Sequence, residues 1–138
     1  MIAYVDSSVV LRIALRHRGA LAEWREITTG VASALVEVEC LRTMDRLRHA
    51  ARLSDDDVAL RCETIYRLME EAEVIELTAP LLRRASQPLP TPLGTLDAIH
   101  LATATLWRDE RGKDLVIATH DRALATAARA SGFRVLGV

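Results

Sequence analysis

The alternation of apolar and polar positions divides the chain into short segments. "IAYVD", residues 2–6, is an apolar run closed by an acid and predicts a buried central strand. Ser7 or Ser8 is placed to cap a helix running to about Arg16, and Gly19 breaks it. "ALAEWREIT" predicts a second, short helix ended by Gly30, and "VAS", 31–33, a short strand. In the helix that follows, Leu35, Val38, Leu41 and Leu47 recur at helical spacing, with Met44 near the same stripe. Ser54 ahead of Asp55, Asp56 and Asp57 is a cap with acids in the first turn. It starts a helix to about Glu71, so these three acids are read as helix initiation rather than as metal ligands. "EVIEL", 73–77, alternates and predicts a strand, and "APLLRRAS" a short helix. "QPLPTPLGT" carries three prolines and a glycine and reads as a loop rather than a domain linker. Thr95 is the expected cap of a helix over 96 to about 109. "DLVIAT", 114–119, is a buried strand, "DRALATAARAS" a helix stopped by Gly132, and "FRVLGV" the final strand.

Strands thus alternate with helices. The pattern predicts an α/β fold, a three-layer sandwich with a mostly parallel central sheet flanked by helices. At 138 residues the chain suits one domain, 1–138, and with aromatics at 4% its core must come from Leu, Val, Ile and Ala. No apolar run is long enough to span a bilayer, and the N-terminus reaches Asp6 too soon for a signal peptide. A cytoplasmic protein without a membrane partner is expected. Cys40 and Cys62 lie in helical segments without metal-ligand spacing and read as free thiols. The formal net charge of −1 means that a nucleic-acid partner would have to meet a local basic patch. Positive charge is almost all arginine, Lys113 being the one lysine; arginine suits phosphate, but codon bias accounts for it equally well.

In open parallel sheets, ligands gather beyond the carboxyl ends of the strands. Asp6 closes the first strand, and Asp121 lies just beyond "DLVIAT". Asp97 opens the helix before that strand, and Glu39 sits in the helix after the second. Four acids from distant segments can therefore meet at one end of the sheet. Clustered carboxylates raise one another's pKa and cost stability. Either each caps a helix or pairs locally, or together they hold a hard divalent cation, Mg²⁺ or Mn²⁺ rather than Zn²⁺. Ser8, two residues after Asp6, and Thr119, two before Asp121, are spaced to orient carboxylates or to cap helices.

"YVDSSVVLR", "SALVEVECLR", "LDAIHLATA" and "IATHDRALATAARASGFRVL", in this order and spacing, resemble PIN-domain proteins. More closely, they resemble the toxin component of VapBC-type toxin–antitoxin pairs. The resemblance spans essentially the whole chain; each motif alone is weak, and the ordered set is specific. It implies an endoribonuclease dependent on Mg²⁺ or Mn²⁺, an RNA substrate, a cognate antitoxin that holds it inactive, and a homodimer. By position it carries the family's acids onto Asp6, Glu39, Asp97 and Asp121 as catalytic and metal-holding residues, and its hydroxyls onto Ser8 and Thr119. Glu37 is two residues from Glu39, about 200° away round a helix, and is read as solvent-facing. Asp114 starts its strand and falls at the opposite end of the sheet.

His100, three residues after Asp97, is expected to pack and hydrogen-bond beneath the site rather than act as a base. His120 is a weak candidate for an RNA contact. For the RNA backbone, Arg12 with Arg16 and Arg42 with Arg46 form i,i+4 pairs, while Glu39 to Arg42 at i,i+3 offers a salt bridge instead. Trp24 and Trp107 are read as buried packing rather than base-stacking platforms. An apolar groove around Trp24 and the helices of 34–71 suits an antitoxin helix. Two alternatives stand beside the nuclease. One is a receiver-like Mg²⁺-binding signalling domain, which needs a lysine after a late strand where Lys113 precedes one. The other is a catalytically silent PIN-like binding module.

Overall fold

The computed structural model describes residues 1–112 and 114–138, so the argument resting on Lys113 falls outside the described residues. Five strands, β1 (Ile2–Val5), β2 (Thr29–Ser33), β3 (Glu73–Ile75), β4 (Val116–Ala118) and β5 (Arg134–Leu136), form one sheet. Six helices surround it: α1 (Ser7–Ala14), α2 (Leu35–His49), α3 (Asp55–Glu71), α4 (Ala79–Ala85), α5 (Thr95–Arg111) and α6 (Arg122–Ala130). The strand order is β3-β2-β1-β4-β5, and all neighbours are parallel. β1 is central, and the chain winds outward from it in one direction through β2 and β3 and in the other through β4 and β5. The order therefore reverses between β1 and β4, where an open α/β sheet leaves a crevice at its carboxyl edge.

Two cores follow from the two-residue period of β1. Ala3 and Val5 face the side covered by α1, α2 and α3, where Val9, Val36, Cys40, Met44 and Ile65 are buried. Tyr4 faces the other side, with Leu101, Trp107, Leu124 and Phe133 from α5, α6 and the β5 approach. The predicted three-layer sandwich is the observed one. Among the described residues no helix is long and apolar enough to cross a membrane.

Several local expectations are corrected. The cap of α1 is Asp6, not Ser7 or Ser8: its backbone is extended (φ −88, ψ 173) and its side chain accepts from the Val9 amide, whereas both serines are already helical. α1 ends at Ala14, and Arg16 is left-handed (φ 52), so Arg12 and Arg16 do not share a helix. Residues Ala22–Glu26 form a 3-10 turn rather than an α-helix, and Gly30 lies inside β2 instead of ending a helix. The buried stripe of α2 is Val36, Cys40 and Met44, while Val38 is 58% exposed. "LVEVEC" places valines two apart, about 200° round a helix, so one had to face outward. Glu37 is only partly exposed. Gly94, not Thr95, caps α5 and does so without a side chain, which puts Asp97 at the third helical position. In β3 the alternation is inverted: Val74 is exposed and Glu73 is partly covered, held by Arg111 from α5.

Candidate active site at the carboxyl edge of the sheet

Asp6 leaves β1 at the crevice and is 3% exposed. One carboxylate oxygen accepts from the Ser8 hydroxyl at 2.6 Å and the Val9 amide at 3.3 Å. The other accepts from the Thr119 hydroxyl at 2.7 Å, across 113 residues of chain. Each hydroxyl is itself oriented by an amide: His120 N–H donates to Ser8 Oγ at 2.8 Å, and Asp121 N–H to Thr119 Oγ1 at 2.9 Å. The loop after β4 is thus bolted to the loop after β1 through Asp6. Burial raises the Asp6 carboxyl pKa, and the Ser8 and Thr119 hydroxyls, His100 and the Val9 amide pull it back.

Asp121 caps α6, accepting from the Leu124 amide at 2.9 Å. Asp97 is partly buried in the first turn of α5. Its pKa is raised by burial and then by Asp121, with smaller contributions from Asp6 and Glu39, against which His100 acts. Asp121, Asp6 and Glu39 thus all lie close enough to Asp97 to act on its charge. Among the described residues no arginine pairs with Asp6, Asp97 or Asp121.

Glu39 reaches the site from α2. Its Oε1 lies 2.7 Å from Nε2 of His100, whose Nδ1 lies 2.7 Å from the Tyr4 hydroxyl. His100 is 1% exposed and sits beneath the acids rather than among them. Tyr4 was not singled out in the sequence. The available signal was a phenol inside an otherwise apolar central strand, since a buried Tyr hydroxyl requires a partner.

The remaining candidates stand apart. His120 turns its ring toward β5, with Nδ1 donating to the Gly137 carbonyl at 2.8 Å, and its Nε2 is buried without a partner, so the ring is not offered to a strand of RNA. Gly137 makes that approach possible: at φ +97, a Cβ there would stand 2.4 Å from the Thr119 carbonyl oxygen. Arg42 pairs with Asp45 at 3.2 Å, not with Glu39. Arg46 donates to Thr43 Oγ1, Arg12 donates to the Gly19 carbonyl, and Arg16 is exposed. None of the four bonds to an acid of the site. Trp107 is buried at 4% exposure, while Trp24 is partly exposed at the mouth of a cavity of about 220 Å³ lined by Val5, Val10, Ile27, Leu68 and Met69. On the other side of Trp24, α1 and the 3-10 turn form a groove with Arg12, Arg16 and Arg25 along it. The apolar surface is therefore built from α1, the turn and the C-terminal end of α3, without α2.

The donor set suits a hard cation. All four candidate donors are carboxylates, and among the described residues none of them is paired with an arginine. Among the described residues no three His, Cys, Asp or Glu side chains close round an ion by themselves. Mg²⁺, which retains several waters and takes few protein ligands, fits such an open arrangement; Zn²⁺ does not.

The PIN domain model matches residues 3–130, and the chain belongs to the PIN-domain family. It is 29% identical over 136 residues to Ribonuclease VapC46 of Mycobacterium tuberculosis, covering 96% of this chain and 95% of that one. Among solved structures it superposes on FitAB bound to an IR36 DNA fragment with a TM-score of 0.69 at 17% identity, covering 98% of this chain and 93% of that one. PAE2754 from Pyrobaculum aerophilum gives 0.62 at 19% identity, over 98% and 83% of the two chains. VapC20 of Mycobacterium tuberculosis, a toxin that cleaves the sarcin–ricin loop, gives 0.59 at 16%, over 91% and 94%. At these identities the structural likenesses speak for the fold. The family match sets aside the receiver-like reading.

Proposed function

We propose that this chain is a Mg²⁺- or Mn²⁺-dependent endoribonuclease and the toxin of a toxin–antitoxin pair. One observation supports the reading: carboxylates from β1, α2, α5 and the β4–α6 loop come to the carboxyl edge at the switch point of a PIN sheet, and among the described residues none of them is paired with an arginine. The relationship to Ribonuclease VapC46 supports RNA as the substrate.

In this reading Asp6, Asp97 and Asp121 hold the ion or ions, and Glu39 holds a second ion or orients the attacking water. The bound cation supplies phosphate charge neutralisation, water activation and leaving-oxygen stabilisation. The protein's own part is placement. Ser8 and Thr119 fix both Asp6 oxygens and lower the proton affinity that burial raises. The Leu124 amide of α6 fixes Asp121, and the positive end of the α5 dipole favours ionised Asp97. The groove of Trp24, with an apolar floor and arginine rim, suits an amphipathic acidic segment of an antitoxin. A homodimer is retained from the family resemblance, and the exposed Val74, Leu77 and Leu82 supply apolar surface for it.

The test is cleavage of RNA with Mg²⁺ or Mn²⁺ and with EDTA. Asp6→Asn and Asp97→Asn are each expected to abolish cleavage while circular dichroism remains native. Mg²⁺ at a hundredfold excess over its Kd is expected to stabilise the wild type by about 2.7 kcal/mol. Full activity in either variant refutes the assignment. A wild type that binds Mg²⁺ and an antitoxin but cleaves no RNA establishes the silent module instead.

A further inference from the structure

A buried line of three side chains runs from the core to the site floor. Tyr4 on β1 is fully buried, and its hydroxyl lies 2.7 Å from His100 Nδ1. His100 on α5 reaches Glu39 on α2 through Nε2, also at 2.7 Å. The His100 side chain is 2% exposed and that of Glu39 is 21% exposed, so only the end of the line meets the crevice.

Taking the ring as neutral and Glu39 as ionised, the chemistry of the two ends sets the direction of both hydrogen bonds. An ionised carboxylate only accepts, so Nε2 must carry a proton to meet Glu39. In a neutral ring, Nδ1 is then a bare lone pair, and it needs a donor because it is buried. The Tyr4 hydroxyl, 2.7 Å away, is placed to be that donor. Without it, the Nδ1–H tautomer becomes available and turns the Nε2 lone pair toward Glu39. Two acceptors 2.7 Å apart repel, and Glu39 leaves its position.

We propose that Tyr4 is a positioning residue. By donating to His100 it selects the Nε2–H tautomer, which holds Glu39 by Oε1 and leaves Oε2 for the site. This rests on the reading of Glu39 as a site carboxylate. Its logic is that of the partners behind metal-bound groups, whose loss commonly costs about 10–100-fold in activity or metal affinity.

The experiment joins ring spectroscopy to kinetics. Long-range ¹H–¹⁵N spectra of the intact protein report the His100 tautomer. The wild type is expected to show Nε2–H and Tyr4→Phe a mixture or the reverse. In RNA cleavage, Tyr4→Phe is expected to lower kcat about 10–100-fold with the KM for RNA little changed. Ile117→Val, a β4 core variant, controls for lost stability and is expected to keep full kcat. In a His100→Gln background, Tyr4→Phe is expected to add nothing further, because it acts through the ring. A wild-type ring protonated at Nδ1, full activity in Tyr4→Phe, or additive losses overturns the proposal. Asp6→Asn is run in parallel. If it is inactive while Tyr4→Phe is fully active, only the positioning role fails. If Asp6→Asn is active, the site reading fails, and the ring spectrum still decides the tautomer.

Discussion

Replacing Thr119 with valine keeps the shape of a side chain that is 0% exposed and removes one hydroxyl. That hydroxyl donates at 2.7 Å to a buried carboxylate and accepts at 2.9 Å from the Asp121 amide. A hydrogen bond to a charged group contributes about 1.5–3 kcal/mol, and a buried amide left without a partner costs about 1–3 kcal/mol. Allowing for relaxation, Thr119→Val is expected to lose about 2.5–5 kcal/mol at neutral pH without metal, or roughly 8–20 °C in Tm for a domain of this size. The loss depends on pH. Asp6 has a raised pKa in the fold, so the native state binds its proton more tightly than the unfolded chain does, and the Asp6 contribution to metal-free stability rises as pH falls through its titration. Thr119 opposes that shift, so the variant's pKa is higher still and its stability gains more on acidification. The two stability curves therefore converge as pH falls through the Asp6 titration. Urea unfolding followed by far-UV circular dichroism, in EDTA from pH 8 to pH 5, reads both effects. Thr105→Val serves as a control, since Thr105 Oγ1 bonds only to the Leu101 carbonyl of its own helix, and its loss is expected to be small and flat with pH. A Thr119→Val loss below about 0.5 kcal/mol, or one equally large at every pH, refutes the reasoning.

Two further outcomes are expected. Gly137→Ala forces a Cβ to 2.4 Å from the Thr119 carbonyl at φ +97, so it should cost about 1–3 kcal/mol in backbone strain alone and weaken Mg²⁺ binding by displacing the Asp6 clamp. A native Tm and native Mg²⁺ affinity would show that β5 does not brace that loop. Burial pushes the Cys40 thiol up to about 12, so at pH 8 only about one molecule in 10⁴ is thiolate. A thiol reagent should therefore label Cys62 alone in the native protein and both cysteines in denaturant; rapid labelling of Cys40 would contradict its burial.

The order of elements was legible because two periods dominate the chain: unbroken apolar runs for buried strands, and helical repeats between them. The placement of Asp6, Asp97 and Asp121 was legible for the same reason, since strand ends and helix starts mark the carboxyl edge of the sheet, while Glu39 lies a turn inside α2. What the pattern missed lies where several local solutions are nearly equal. Ser7, Ser8 and Asp6 can each cap a helix, and the choice falls to Asp6 because its carboxylate is also fixed by Thr119 from a strand 113 residues away. Glu39 and Arg42 are well spaced for a pair, yet His100 on another helix takes the glutamate and Asp45 takes the arginine. These are tertiary decisions, invisible to a window of a dozen residues. The line from Tyr4 to Glu39 belongs to the same class, with sequence separations of 96 and 61.

The helix caps have an evolutionary reading. Asp6 and Asp121 each cap the helix that follows by binding one first-turn amide, Val9 in α1 and Leu124 in α6, so replacing either weakens the scaffold whatever the chemistry of the site. Asp97 carries no such duty: Gly94 caps α5, and burial among like charges makes its carboxylate a burden without a cation. If the proposed site is the catalytic one, drift in a descendant that had abandoned catalysis would erase Asp97 early and leave Asp6 and Asp121 standing as fossils. Under the proposed reading, the acid whose loss would first mark a retired enzyme is therefore Asp97, the third residue of α5.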